Sequence, residues 1–101
     1  MIHVLASLHI KNGHVAEFLE IFNANVPNVL QEKGCIEYTP AIDVPTDIKT
    51  QVCDKNVVTV IEKWESLQAL KDHAVAPHMK AYEEKVAHIL EGVSLKILGN
   101  G

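Results

Sequence analysis

The sequence lacks any run of lysine or arginine residues, and its formal net charge is −4 over 101 residues. Because binding to a phosphate backbone draws its affinity from clustered cations, the sequence predicts no nucleic-acid partner. No stretch approaches the roughly 18 consecutive apolar residues of a membrane-spanning helix, so no membrane association is predicted. Residues 1–4 carry neither a basic segment nor a small-residue cleavage site, which a secretory signal would have. These absences favour a cytoplasmic location.

Cysteine is also scarce, since Cys35 and Cys53 are the only two in the chain. Their spacing matches neither a CxxC motif nor a zinc site, so we expect two free thiols instead of a disulfide. The sequence has no GxGxxG, P-loop, GxSxG or paired-carboxylate motif. A flavin or nicotinamide site would need a phosphate cradle. We therefore predict no cofactor, and any redox chemistry would proceed without a tightly held nucleotide.

The composition is that of one globular domain with a substantial core. Hydrophobic residues make up 48% of the chain and charged residues 22%, a balance that argues against disorder. A chain of this length is sufficient for one domain and too short for two. We therefore treat residues 1–101 as a single domain.

Apolar periodicity predicts strands and helices in the order β-α-β-β-α-α-β. The predicted elements are a strand over 1–10, a helix over 14–34, strands over 35–44 and 57–64, a short helix capped by Ser66, a helix from Pro77 that includes Ile89 and Leu90, and a strand over 93–97. This order is typical of an α+β, ferredoxin-like domain, in which a four-stranded antiparallel sheet carries its helices on one face.

Two prolines lie within these predicted elements. Pro27 removes a backbone donor from the first helix, so we expect a kink or a restart there. Pro40 cannot donate to a strand ladder, so the strand over 35–44 should be an edge or bulged strand.

A sheet with helices on one face leaves its second face bare. We expect some combination of Leu5, Tyr38, Trp64 and the first-strand histidines His3 and His9 on that face. A bare, partly apolar sheet face invites pairing with a second copy of the same chain. The pattern therefore predicts a homodimer.

His73 and His78 are the histidines most suited to chemistry. Five residues apart on one continuous helix they would diverge, but Pro77 breaks the helix between them and could bring both to one place. A zinc site would need i, i+4 spacing and a further ligand, so no metal is predicted. One hypothesis is that these histidines transfer a proton or orient a substrate, and the alternative is that they cap helices or lie on the surface.

Glu62 and Trp64 share one face of the strand over 57–64. This places a carboxylate beside the only tryptophan. A buried carboxylate is costly without a partner, so Glu62 should either face water or meet a group such as a histidine.

Three segments resemble the antibiotic biosynthesis monooxygenase family: residues 32–38 (EKGCIEY), residues 61–66 (IEKWES), and His73 followed by residues 77–80 (PHMK). The resemblance implies dimeric α/β barrels whose protomers pack sheet on sheet, with the helices outside and one pocket in each protomer. It also implies cofactor-independent oxidation of a small quinol or phenolic substrate by molecular oxygen.

The candidate site residues follow from the resemblance and from the predicted bare face. The expected catalytic residues are His73, His78 and Glu62, and the expected substrate-binding residues are Trp64, Tyr38, His9 and Leu5.

The sequence departs from two branches of the family. Val60 stands where the polyketide-oxidising branch has an amide, and Ala6 stands where the haem-degrading branch has an asparagine. Two other functions stay open: a non-catalytic ligand-binding or stress-response module, and an isomerase of a phosphorylated quorum signal. The isomerase would need a basic pocket, for which Lys63 and Lys80 are the candidates.

Overall fold

The strands and helices follow one another in the predicted order, and the computed structural model describes all 101 residues. The elements are β1 (Ile2–Ile10), α1 (Val15–Leu30), β2 (Cys35–Ile42), β3 (Val57–Trp64), α2 (Leu67–Ala74), α3 (Pro77–Val86) and β4 (Leu90–Leu98). The strands form one antiparallel sheet in the order β2-β3-β1-β4. The predicted ferredoxin-like α+β fold is confirmed.

Helix α1 buries Phe18, Phe22 and Val29 against the sheet. Pro27 lies inside this helix, yet the helix runs on to Leu30. Of the predicted kink or restart, the restart is therefore wrong, and the kink stays a prediction. The proline removes one backbone donor near the last turn, and the burial of Val29 beyond it offsets that loss.

Helices α2 and α3 begin where the sequence predicts. Ser66 Oγ accepts the backbone N–H of Ala69 at 3.1 Å, and Pro77 occupies the first turn of α3. Helix α3 ends at Val86, so the predicted extension through Ile89 and Leu90 is wrong. Ile89 is buried in the following turn, so an apolar residue is needed there, and its spacing from the apolar residues of α3 happens to match that of a helix.

Strand pleating divides the sheet into a covered face, which packs against the helices, and an uncovered face. In β3, Val58, Val60, Glu62 and Trp64 are buried on the covered face, and the residues between them are more exposed. Tyr38 pairs with Glu62 in the β2–β3 register, so it lies on the covered face as well. The prediction that Tyr38 and Trp64 lie on the bare face is therefore wrong.

The first strand presents its odd-numbered residues to the uncovered face. Leu5 pairs with Ile61 and His9 pairs with Val57, and all four alternate with the buried residues of their strands. Leu5 and His9 therefore lie on the opposite side of the sheet from Tyr38 and Trp64. Side-chain alternation along the strand therefore directs Leu5 and His9 away from the helices.

The two edge strands differ in how they are covered. Strand β2, which contains Pro40, is an edge strand with an irregularity between Cys35 and Glu37, as predicted. Strand β4 is the other edge, and the helices approach β2 and β3 more closely than β4. As a result Val93, Leu95 and Ile97 are 51–57% exposed although they pair with buried residues of β1.

The two cysteines are free thiols, as predicted. None of the helices combines the length and the apolar character needed to cross a membrane.

Gly34 joins the end of α1 to the start of β2 in a conformation that requires glycine. Its φ is +87°, and its carbonyl accepts the backbone N–H of Glu65 at 2.8 Å. A Cβ at this position would lie 2.6 Å from the Cβ of Ala69 in α2. The turn thus depends both on left-handed backbone and on close approach to a helix.

We expect Gly34→Ala to destabilise the fold more than Gly13→Ala. Both glycines have a φ of +87°, so both variants lose about 1–2 kcal/mol from backbone strain, but a Cβ at Gly13 meets nothing within 4 Å. The clash with Ala69 adds roughly 1–3 kcal/mol at Gly34. Urea unfolding of both variants measures the difference. Equal losses, or no relief of the Gly34→Ala loss by Ala69→Gly, would contradict the close approach.

Candidate active site

A cavity of about 230 Å³ lies between the covered face and the helices. Apolar side chains form most of its wall, and the groups with ionisable carboxyl or imidazole side chains are Glu62, His73 and Glu83. An engineered apolar cavity of roughly 150 Å³ in another protein holds benzene. The volume therefore suits one substituted aromatic ring.

Glu62 and Trp64 form a hydrogen-bonded pair on one face of β3, as predicted, but only Glu62 lines the cavity. Trp64 Nε1 donates to Glu62 Oε1 at 2.9 Å, Trp64 is fully buried, and Glu62 is 6% exposed. Burial raises the pKa of Glu62, and the Trp64 N–H and the nearby His73 oppose part of that rise. The carboxyl thus keeps its proton to a higher pH than a solvated glutamate does.

His73, near the end of α2, is held by packing and by one charged partner. Its ring lies 4.8 Å from that of Trp64 and 5.3 Å, edge-on, from that of Tyr38. The residue is 5% exposed, and its Nδ1 lies 2.8 Å from Glu32 Oε2. The imidazole is therefore fixed in orientation on the cavity wall.

His78, in the first turn of α3, approaches the same carboxylate. Its Nε2 lies 3.0 Å from Glu32 Oε2, although not in hydrogen-bond alignment, and its Nδ1 lies 3.2 Å from Asn25 Nδ2. The break before Pro77 thus lets His73 and His78 approach the same carboxylate oxygen, Oε2 of Glu32. His78 lines a separate cleft between α1 and α3 and does not line the main cavity.

Sequence reasoning missed Glu32 and Asn25. Glu32 lies two residues beyond the last residue of α1, near the helix end where the dipole disfavours a negative charge, and no basic residue lies in the last turn. A carboxylate in this unfavourable position was the available signal that a cationic or N–H partner lies nearby.

The other candidate nucleophiles and acids are held in their neutral forms by burial. Desolvation raises the pKa of the Cys35 thiol to about 11 and raises the pKa values of the Tyr38 and Tyr82 phenols above their ordinary value. Tyr38 therefore offers the cavity a neutral ring and hydroxyl. Leu5 and His9 are not brought to this cavity.

The cavity wall contains no basic side chain other than His73. Lys63 lies on the uncovered face, 3.3 Å from Glu37, and Lys80 is exposed on α3. A phosphorylated ligand would meet the carboxyls of Glu62 and Glu83, with the His73 imidazole as the single group in the wall that can carry a positive charge. The cavity therefore does not favour the isomerase alternative.

We expect the free energy of unfolding of Glu62→Gln, relative to that of the native chain, to increase as the pH rises. Folded Glu62 holds its proton to a higher pH than the unfolded residue, so folding loses free energy as the pH rises from 4.5 through the raised pKa. The amide has no charge to desolvate, and its oxygen can still accept from Trp64. Urea unfolding across this pH range measures the difference between variant and native chain. A difference that does not change with pH, or one equalled by Glu37→Gln on the uncovered face, would contradict the prediction.

Comparison with known proteins connects this site to a family. A family model described as "Antibiotic biosynthesis monooxygenase" matches residues 1–85. The chain is also 35% identical, over 103 aligned residues, to the Escherichia coli (strain K12) protein named "Probable quinol monooxygenase YgiN". That alignment covers 100% of this chain and 99% of the relative.

Solved structures share the fold at lower identity. A protein from Nitrosomonas europaea has a TM-score of 0.84 at 16% identity, with 99% of this chain and 98% of that chain covered. A conserved protein from Methanosarcina mazei Go1 has a TM-score of 0.81 at 22% identity, with 96% and 89% covered. The fold, the family model and the full-length relative agree, and the chain belongs to the antibiotic biosynthesis monooxygenase family.

Proposed function

We propose that this protein is a cofactor-independent monooxygenase that oxidises a small quinol or phenolic ring with molecular oxygen. The observation that carries the proposal is the position of His73: its imidazole is bound to the partly buried carboxylate of Glu32, and the residue lines a mostly apolar cavity that can hold one aromatic ring. The full-length relative named as a quinol monooxygenase supports the same substrate class.

In the proposed reaction the substrate supplies the electrons. An imidazole removes a phenolic proton, and the resulting phenolate transfers one electron to O2, which gives a phenoxyl radical and superoxide. These combine by forming a C–O bond, and the peroxide O–O bond then breaks with loss of water. A hydroquinone and O2 thus yield a hydroxyquinone and water. An apolar cavity favours this route because it excludes water from the radical pair.

The roles of the candidate residues follow from their positions. One imidazole of the pair His73 and His78 acts as the base, and Glu62 supplies a second proton-transfer group at the cavity wall. Tyr38 lines the cavity, and Trp64 holds both the Glu62 carboxyl and the His73 ring. Leu5 and His9 have no part in this cavity.

The protein acts as a homodimer in the cytoplasm in this proposal. Two exposed apolar surfaces favour a second copy: the uncovered face around Leu5 and Ile61, and the β4 stripe, which consists of Val93, Leu95 and Ile97. Val93 and Leu95 also line the cavity, so a partner packed on the β4 stripe would shield its open side from water. The free thiols Cys35 and Cys53 agree with a reducing compartment.

We expect sedimentation to give a dimer at micromolar concentration and Leu95→Glu to shift it toward monomer. The introduced carboxylate would have to lose its hydration on association, which is costly without a partner. Val52→Glu is the matched control, because Val52 is 88% exposed in the β2–β3 loop. A native chain that sediments as a monomer would contradict the proposed dimer.

We expect the protein to accelerate oxygen uptake by one-ring hydroquinones above their uncatalysed rate, in chelator-treated enzyme. The double variant His73→Gln/His78→Gln should lower kcat/KM by about 10²- to 10⁴-fold, because it removes the general base. The matched control is His14→Gln/His88→Gln, which removes two surface imidazoles that also share one glutamate, Glu17. Quinols that bind without any turnover would overturn the proposal in favour of a ligand-binding module.

A further inference from the structure

We infer that His73 alone is the base of the histidine pair, and that Glu32 is the positioning residue that sets its tautomer. The inference rests on the proposed function and deepens it by assigning different roles to two residues that share one carboxylate oxygen. The first observation is that Glu32 Oε2 faces Nδ1 of His73 at 2.8 Å and Nε2 of His78 at 3.0 Å. Only the first contact is an aligned hydrogen bond, and a carboxylate oxygen accepts, so Nδ1 of His73 carries a hydrogen.

The second nitrogen of His78 is already occupied. Asn25 Nδ2 donates to His78 Nδ1 at 3.2 Å and also to Met79 Sδ at 3.5 Å. In this arrangement the amide oxygen of Asn25 accepts from Asn28 Nδ2 at 3.0 Å, so Asn25 Nδ2 is the atom that faces His78. His78 therefore accepts at Nδ1, so neutral His78 carries its hydrogen on Nε2, on the side of Glu32, which leaves no lone pair for a substrate proton.

The second nitrogen of His73 has no partner within the chain. Its Nδ1 faces Glu32, its ring packs on Trp64 and Tyr38, and the residue lines the cavity. With the hydrogen on Nδ1, the lone pair on Nε2 is free to take a phenolic proton there. The imidazolium that forms lies beside the Glu32 carboxylate, where partial burial strengthens their attraction. Base and orienting carboxylate are thus arranged as in a catalytic dyad.

Nitrogen-15 NMR of the imidazole rings tests the tautomers without any substrate, and so independently of the proposed function. His73→Gln and His78→Gln each assign one set of ring signals. In the native chain we expect neutral His73 to carry its hydrogen on Nδ1 and neutral His78 to carry its hydrogen on Nε2. A His73 ring protonated on Nε2 alone, or a His78 ring protonated on Nδ1, would overturn the inference even if quinol turnover is found.

Kinetics of three single variants test the division of roles. His73→Gln should lower kcat by about 10²- to 10⁴-fold, whereas His78→Gln, whose amide can still donate to Glu32, should lower it less than about tenfold. Glu32→Gln keeps the shape but removes the charge, so it should lower kcat by about 10²-fold or more with KM changed less than about threefold. Glu37→Gln, which removes a carboxylate from the uncovered face, is the control.

Equal losses in His73→Gln and His78→Gln, with both variants folded by circular dichroism, would overturn the assignment of the base. A Glu32→Gln variant that raises KM and leaves kcat unchanged would show a role in ligand binding and would overturn its positioning role. Absence of quinol turnover in the native chain would overturn the proposed function. The NMR measurement of the tautomers would still test how Glu32 and Asn25 orient the two histidine rings.

Discussion

The helices cover only one face of the sheet, and the alternation of side chains along each strand decides which residues meet them. This constraint places Glu62 and Trp64 under the helices together with the apolar residues of β1 and β3. A carboxyl is therefore buried within the core itself, with one indole N–H as its hydrogen-bonded partner. The raised pKa of Glu62 is the measurable consequence, and a core selected for stability alone would have an apolar side chain there.

Glu32 connects the packing of the helices to the chemistry of the site. It follows the end of α1, and its carboxylate meets one histidine from α2 and one from α3. Gly34, two residues later, lets the turn approach α2 closely enough for this meeting. A change in how the three helices pack would therefore alter the orientation of His73, so the stability of the turn and the geometry of the site are coupled.

Much of the fold could be predicted because its signals are local. Each of these signals affects structure only within a few residues: the serine before α2, the proline at the start of α3 and the alternation of buried residues in β3. The errors arose where a local signal had two physical causes. Ile89 imitates helical periodicity because it is buried in a turn, and Pro27 leaves α1 unbroken because the packing of the residues around it holds the helix together.

Patterns along the chain are sufficient to predict the order of the elements, the shared face of Glu62 and Trp64, and the resemblance to a family. The packing of the elements determines which face of the sheet the helices cover, and it separates Leu5 and His9 from Tyr38 and the cavity. It also brought Glu32 to His73 across 41 positions of the chain. The spacing of residues along the chain shows on which face of its own helix or strand a side chain lies. Contact between distant residues depends on how those elements pack, which the burial of the whole apolar core decides.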